Sequence, residues 1–142
     1  NCNYNFKFTN IQSAVAYAQL DTIYSRIKKC ILRHNTYKKQ LENLRYLKVM
    51  PFNLKDWNVP LWTSIYCEKK DKLFDFLKKN SVECRKCWYP LHTQKPFKSY
   101  KKFQNSEKIY NRVLWLPSSL TLKLDHIVHI CDLIKKYYRV TA

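Results

Sequence analysis

No glycine occurs in the 142 residues of this chain. Average usage of about 7% would supply about ten. A Gly-rich loop of the kind that cradles phosphates is therefore impossible here. Lys, Asn, Tyr and Ile are plentiful instead. Their codons are A/T-rich and those of Gly are G-rich, so mutation bias accounts for both departures. The same bias bears on charge: 27 Lys+Arg stand against 10 Asp+Glu, a formal net of +17. Such an excess can be a nucleic-acid footprint. The basic residues are spread along the chain rather than gathered in one block, which favours bias over a polyanion partner.

The length fits one domain, 1–142, able to bury a core. No apolar run reaches the roughly 18 residues that span a bilayer, and no signal-peptide pattern opens the chain. The first residues, Asn1-Cys2-Asn3-Tyr4, lack an initiator Met and read as cut from something longer. The six cysteines lie in apolar segments without an export signal, which points to reduced, partly buried thiols and a cytoplasmic protein.

Thr9-Asn10-Ile11-Gln12 is a capping-box pattern. Ile11, Ala14, Val15, Ala18, Ile23, Ile27 and Ile31 then recur at helical spacing, so residues 9–44 are expected as helix. An interruption is expected near Asp21, which could cap a second segment. Strands are expected over 59–67, 81–89 and 113–116, and helices over 70–79, 106–112 and 123–138. Thr121 or Ser119 could cap the last helix. That order predicts an α+β fold: a long N-terminal helix and a small antiparallel sheet with helices on one face.

Three stretches carry chemistry. Tyr4 to Ala14 puts an amide, Asn5, and a cation, Lys7, just before a helix start, where free N–H groups favour anions. An ordinary capped helix explains the same pattern. In the stretch from Arg85 to Phe97, Arg85, Trp88, His92 and Gln94 leave a strand and enter a loop restricted by Pro90 and Pro96. Arg offers a fork for phosphate oxygens, Trp a flat face for a sugar or base, and His a hydrogen-bonding handle. Singly, each is more often packing than ligand. Leu116-Pro117-Ser118-Ser119-Leu120 reads as a turn before a capped helix.

Cys84-x-x-Cys87 has zinc-knuckle spacing, but no second pair follows at the required distance, and structural cysteines are the better reading. His126 and His129 could share a helix face; without a third ligand they read as surface or packing histidines.

Taken in order, these stretches resemble the DegT/DnrJ/EryC1/StrS family of pyridoxal-phosphate-dependent nucleotide-sugar aminotransferases. Asn5, Lys7, Phe8, Thr9, Gln12 and Ala14, then Ala16 to Leu20, follow that family's Tyr-Asn-x-Arg-Met-(Thr/Ser)-x-x-Gln-Ala-Ala segment and its Gly-Leu-Ala-Gln-Leu. Arg85, Trp88, Pro90, Leu91, His92 and Gln94 keep the spacing of a subgroup's Arg-Pro-x-Trp-x-Pro-Leu-His-x-Gln stretch, and the Leu-Pro-Ser-Ser turn closes the pattern. The departures are Lys7 for Arg, which loses the fork geometry, Phe8 for Met, Asn3 and Ala16 for Gly, and Lys86 for Pro.

The resemblance implies the C-terminal domain of such an enzyme, with helix 9–44 at an interface and the large cofactor domain absent. The complete protein would be a homodimer that aminates a nucleotide-diphosphate keto sugar, with glutamate as donor, for a surface polysaccharide or glycan. Asn5 and Lys7 would approach the phosphate of pyridoxal phosphate bound by the neighbouring subunit; Arg85, Trp88 and His92 would lie on the substrate side. The Schiff-base lysine would lie before residue 1, so this chain alone should be inactive, with no catalytic residue of its own and no metal. A non-catalytic remnant, or a basic nucleic-acid-binding module, is the alternative. Neither membrane nor nucleic acid is expected as a partner.

Overall fold

The computed structural model describes residues 7–53 and 58–141. Helix α1 spans Asn10–Leu20 and begins with the expected capping box: the Gln12 amide donates to Thr9 Oγ1 at 3.3 Å, and the Thr9 amide to Gln12 Oε1 at 2.9 Å. The break falls at 21–22, where it was anticipated, but Asp21 is the C-cap of α1 and Thr22 takes the N-cap position of α2, Ile23–Leu41. Thr22 makes no capping bond; its hydroxyl turns back to the Gln19 carbonyl. Arg26 bridges the break, with Nε donating to Thr22 Oγ1 at 2.9 Å and Nη1 to Gln19 Oε1 at 3.1 Å.

Four strands follow in a sheet ordered β1-β2-β4-β3, every neighbouring pair antiparallel: β1 Leu47–Val49, β2 Thr63–Cys67, β3 Arg85–Lys86 and β4 Val113–Leu116. Helix α3, Lys70–Lys79, lies between β2 and β3, α4, Gln104–Arg112, leads into β4, and α5, Leu124–Thr141, closes the chain. The α+β architecture is as the sequence predicts. One face of the sheet, with Leu47, Ile65, Cys67, Leu114 and Leu116, joins Tyr37 and Leu41 of α2, Leu73 and Leu77 of α3, and Ile127 and Ile134 of α5 in one buried core. Full burial of each aliphatic side chain contributes about 1.5–3 kcal/mol.

Two features shape the ends of the sheet. Arg33 of α2 is buried at 4% exposure and donates to four carbonyls: Ser118 and Ser119 after β4, and Pro60 and Leu61 before β2, the last two at 3.0 and 2.8 Å. It ties both connections to α2, and the strand expected from residue 59 starts only at Thr63. The second is Ser81, at φ 60°. Its amide donates to the Lys78 carbonyl and that of Val82 to Leu77, the left-handed close of α3 that glycine normally makes. Leaving α3 this way takes 81–84 out of line, so the strand expected over 81–89 pairs only at Arg85 and Lys86.

The five described cysteines are free, four of them buried. Burial pushes the Cys67 thiol up to about 11 and the Cys84 and Cys131 thiols up to about 12, so they stay protonated packing groups. Ser119 and Thr121 do not cap α5; their hydroxyls lie 2.8 Å apart in the turn ahead of it.

Candidate functional site

Strand alternation separates two surfaces. Thr63, Ile65 and Cys67 face the helices, so Ser64 and Tyr66 point the other way; Trp115 pairs with Ser64 and joins them. Arg85 pairs with Trp115 across the next ladder and shares that outer face. Here the Trp62 ring stacks on Trp115, centroids 5.1 Å apart at 9°, and Trp88 meets both edge-on at 5.6 and 4.6 Å. Such aromatic pairs add about 0.5–1.5 kcal/mol each beyond their buried area. Trp62 and Trp88 nevertheless stay 43% and 67% exposed, leaving indole faces open to a ligand. A cleft of about 680 Å³ opens beside this wall, between Arg85 and Trp62 on one side and His126 and His129 of α5 on the other.

The loop after β3 is held by its own side chains. Thr93 Oγ1 donates to the Pro90 carbonyl at 2.8 Å, Gln94 Nε2 to that of Tyr89 at 2.9 Å, and the Ser99 amide to that of His92 at 3.1 Å. His92 turns toward α4: Nε2 lies 3.0 Å from Glu107 Oε1, and the ring packs on Phe103 at 4.9 Å. Its side chain is 11% exposed. A second cleft, about 610 Å³, lies between this loop and α4, lined by Cys87, Trp88, Tyr89, Gln94 and Tyr110. A hydrogen bond with Tyr89 is the main cause pushing the Tyr110 phenol up to about 12.

Among the lysines, Lys86 is engaged with Asp71 at 2.7 Å and lies over the Phe74 ring. That pairing, first of all, holds the Asp71 carboxyl below the usual carboxylate range and raises Lys86. Lys70 is buried at 4% exposure, but its ammonium donates to the Tyr110 carbonyl at 2.7 Å and sits over the Tyr110 ring at 4.5 Å. It is spoken for, and is no candidate to hold a cofactor aldehyde. Lys7 lies on an exposed segment ahead of the capped α1. A cation beside a helix start fits a contact to a phosphate. The cofactor fit of the described residues is thus to a phosphate edge only.

The residues singled out in the sequence are therefore divided. Asn5 lies outside the described residues. Arg85 and Trp88 share the indole wall, but Arg85 lines the first cleft and Trp88 the second, while His92 lines neither. Trp62 and Trp115 were missed: they are 53 positions apart, and only the β2–β4 register brings them together. His126 and His129, read as surface or packing histidines, are exposed on the rim of the larger cleft.

Residues 1–135 match the model of the DegT/DnrJ/EryC1/StrS aminotransferase family. The GDP-perosamine synthase of Escherichia coli O157:H7 is 29% identical over 141 residues, 95% of this chain but 38% of that protein. Among solved structures, Helicobacter pylori PseC, an aminotransferase of pseudoaminic acid biosynthesis, superposes with a TM-score of 0.79 at 17% identity, over 99% of this chain and 40% of its own. A DegT DnrJ EryC1 StrS aminotransferase from Brucella abortus gives 0.79 at 22% identity, over 92% of this chain and 36% of its own. The chain thus spans about two fifths of the length of the relatives it matches.

Proposed function

We propose a function on one premise: the chain belongs to the DegT/DnrJ/EryC1/StrS aminotransferase family, whose model spans residues 1–135. It is the C-terminal domain of a cytoplasmic, homodimeric enzyme that converts the ketone of a nucleotide-linked sugar to an amine, with glutamate as donor, for a surface polysaccharide or glycan. The family match along nearly the whole chain carries this reading.

Pyridoxal phosphate is the cofactor of this family. It supplies an electron sink during transfer of the amino group. In this proposal the lysine that holds it lies in the rest of the protein, and this chain contributes Asn5 and Lys7 to the phosphate side of the neighbouring subunit's site. Arg85 and Trp88 act on the substrate side by orienting phosphate and ring. His92 acts there too, and its contact with Glu107 fixes the direction of the imidazole.

The test measures the two half-reactions separately in the full-length protein. His92→Ala should weaken the sugar-nucleotide half-reaction by about ten- to a hundredfold, the loss of one well-aligned or charged hydrogen bond of roughly 1.5–3 kcal/mol. The glutamate half-reaction should be nearly unchanged. Glu107→Gln, which keeps the imidazole but weakens its anchor, should have the smaller effect. If His92→Ala slows both half-reactions equally, or neither, His92 is only a structural pin of the loop.

A further inference from the structure

The larger cleft exists because two backbone segments part company. Val82 is tied back to Leu77 at the end of α3, and β4 stops at Leu116, followed by Pro117 and the Arg33-held Ser118 and Ser119. Residues 81–84 and 117–119 therefore run apart instead of pairing, and a volume of about 680 Å³ opens between them. Its floor is apolar, with Val82, Leu116 and Ile130 all buried. Its rim carries the Arg85 guanidinium, the His126 and His129 imidazoles three apart on α5, and the Glu83 carboxylate. None of these four side chains has a hydrogen bond or ion pair among the described residues. On the remaining side stands Trp62, backed by Trp115 and 43% exposed.

We infer that this cleft is a binding site for a small planar aromatic ring bearing one phosphate or carboxylate. The ring lies against the Trp62 indole and the apolar floor, and the anionic group meets the Arg85 fork and the two imidazoles. Glu83 on the same rim accepts from a ring N–H or hydroxyl and disfavours a densely charged polyanion. Apolar pockets with a few convergent polar groups are the usual form of small-ligand sites. Of the side chains invoked, only Arg85 also serves the aminotransferase reading; Trp62, Glu83, His126 and His129 have no part in it, and the inference goes beyond it.

The test uses the full-length protein loaded with its cofactor, and 1-naphthyl phosphate as the probe in isothermal titration calorimetry. One probe should bind per chain, with inorganic phosphate and naphthalen-1-ol each weaker by about tenfold or more. Trp62→Leu should weaken the probe by about tenfold or more, the usual effect of losing one stacking ring. His126→Ala combined with His129→Ala, two exposed changes that leave the core intact, should do the same. Lys101→Gln with Lys102→Gln, on an exposed basic segment elsewhere, should change affinity by less than about twofold. Absence of binding overturns the proposal. So does retention of wild-type affinity in both cleft variants, or a loss confined to the Lys101/Lys102 variant, which would mark diffuse attraction to a basic surface.

Discussion

Helix α1 carries Ile11, Val15, Tyr17 and Leu20, and none of its residues is buried; α2, studded with Arg26, Lys28, Lys29, Lys38 and Lys39, buries five. Only Asp21 and Thr22 separate them. The more apolar helix is the bare one, and the more basic helix is central to the core. Burial in α2 follows a stripe, Cys30, Arg33, His34, Tyr37 and Leu41, whose spacing returns to one face every three or four residues. In α1 the apolar groups spread around the helix, and Ile11, Val15, Tyr17 and Leu20 all stay more than half exposed. Hydrophobicity therefore tracks burial within the domain in α2 but not in α1.

Truncation of side chains separates the two most sharply. Ile134→Ala, at a wholly buried position of α5 facing the core, should lower stability by about 2–5 kcal/mol. Ile11→Ala on α1 should change it by less than about 0.5 kcal/mol. Urea titration of the isolated chain measures both, and comparable losses would show that α1 is covered in solution.

The polar members of the α2 stripe sharpen the contrast. Arg33→Met fills similar volume but leaves carbonyls of 60–61 and 118–119 without their donor. It should cost about 2–4 kcal/mol, because about 1–3 kcal/mol attaches to a buried acceptor left unmet and only the Pro60 bond is fully buried, the other three being partly open to water. A loss below about 1 kcal/mol would show that water takes over those carbonyls.

His34 makes the difference depend on pH. Burial first, then the charges of Lys38 and Arg33, lower its pKa from the ordinary 6.5. The unfolded chain therefore binds a proton that the folded chain refuses, and stability falls as pH drops through 6.5 toward the lowered folded value. Below that value this contribution is gone. Chemical denaturation between pH 7.5 and 5.5 should show the decline, and His34→Gln should flatten it; an unchanged slope would assign the decline to other groups.

The smallest effect concerns the junction. Arg26→Ala removes two side-chain bonds to Gln19 and Thr22 and should cost about 0.5–1 kcal/mol. Amide exchange should speed up in α1 but not in α5. Uniform exchange changes in both helices would mean that α1 and the core open as one unit.

Much of this fold was legible because some segments carry their own instructions. Helix α3 and strand β4 fall where periodicity placed them, at 70–79 and 113–116, and the Thr9–Gln12 box forms as read. The misreadings sit where distant groups decide. β1 has three residues, too few to show alternation, and exists through pairing with β2. The strand at 59–67 loses its start to carbonyl bonds from Arg33, a residue 27 positions earlier than Pro60. The strand at 81–89 shrinks because Ser81 takes a left-handed turn that a glycine-free chain must make with a costlier residue, at about 1–2 kcal/mol. In the candidate site, Arg85 and Trp88 stood out in the sequence as residue types entering a loop restricted by Pro90 and Pro96. The Trp62–Trp115 stack did not, because a pairing register rather than a motif creates it.

The Arg26 bridge bears on how the apolar arm would meet a partner surface. A segment that must first fold or search for its direction loses conformational freedom at contact, and that loss subtracts from affinity. Here α1 is already capped at Thr9 and already joined to α2 through Gln19, Thr22 and Arg26. Association then resembles the docking of two rigid bodies, limited by mutual orientation rather than by folding on contact. A change at Arg26 would accordingly weaken any such docking without altering an apolar residue of α1.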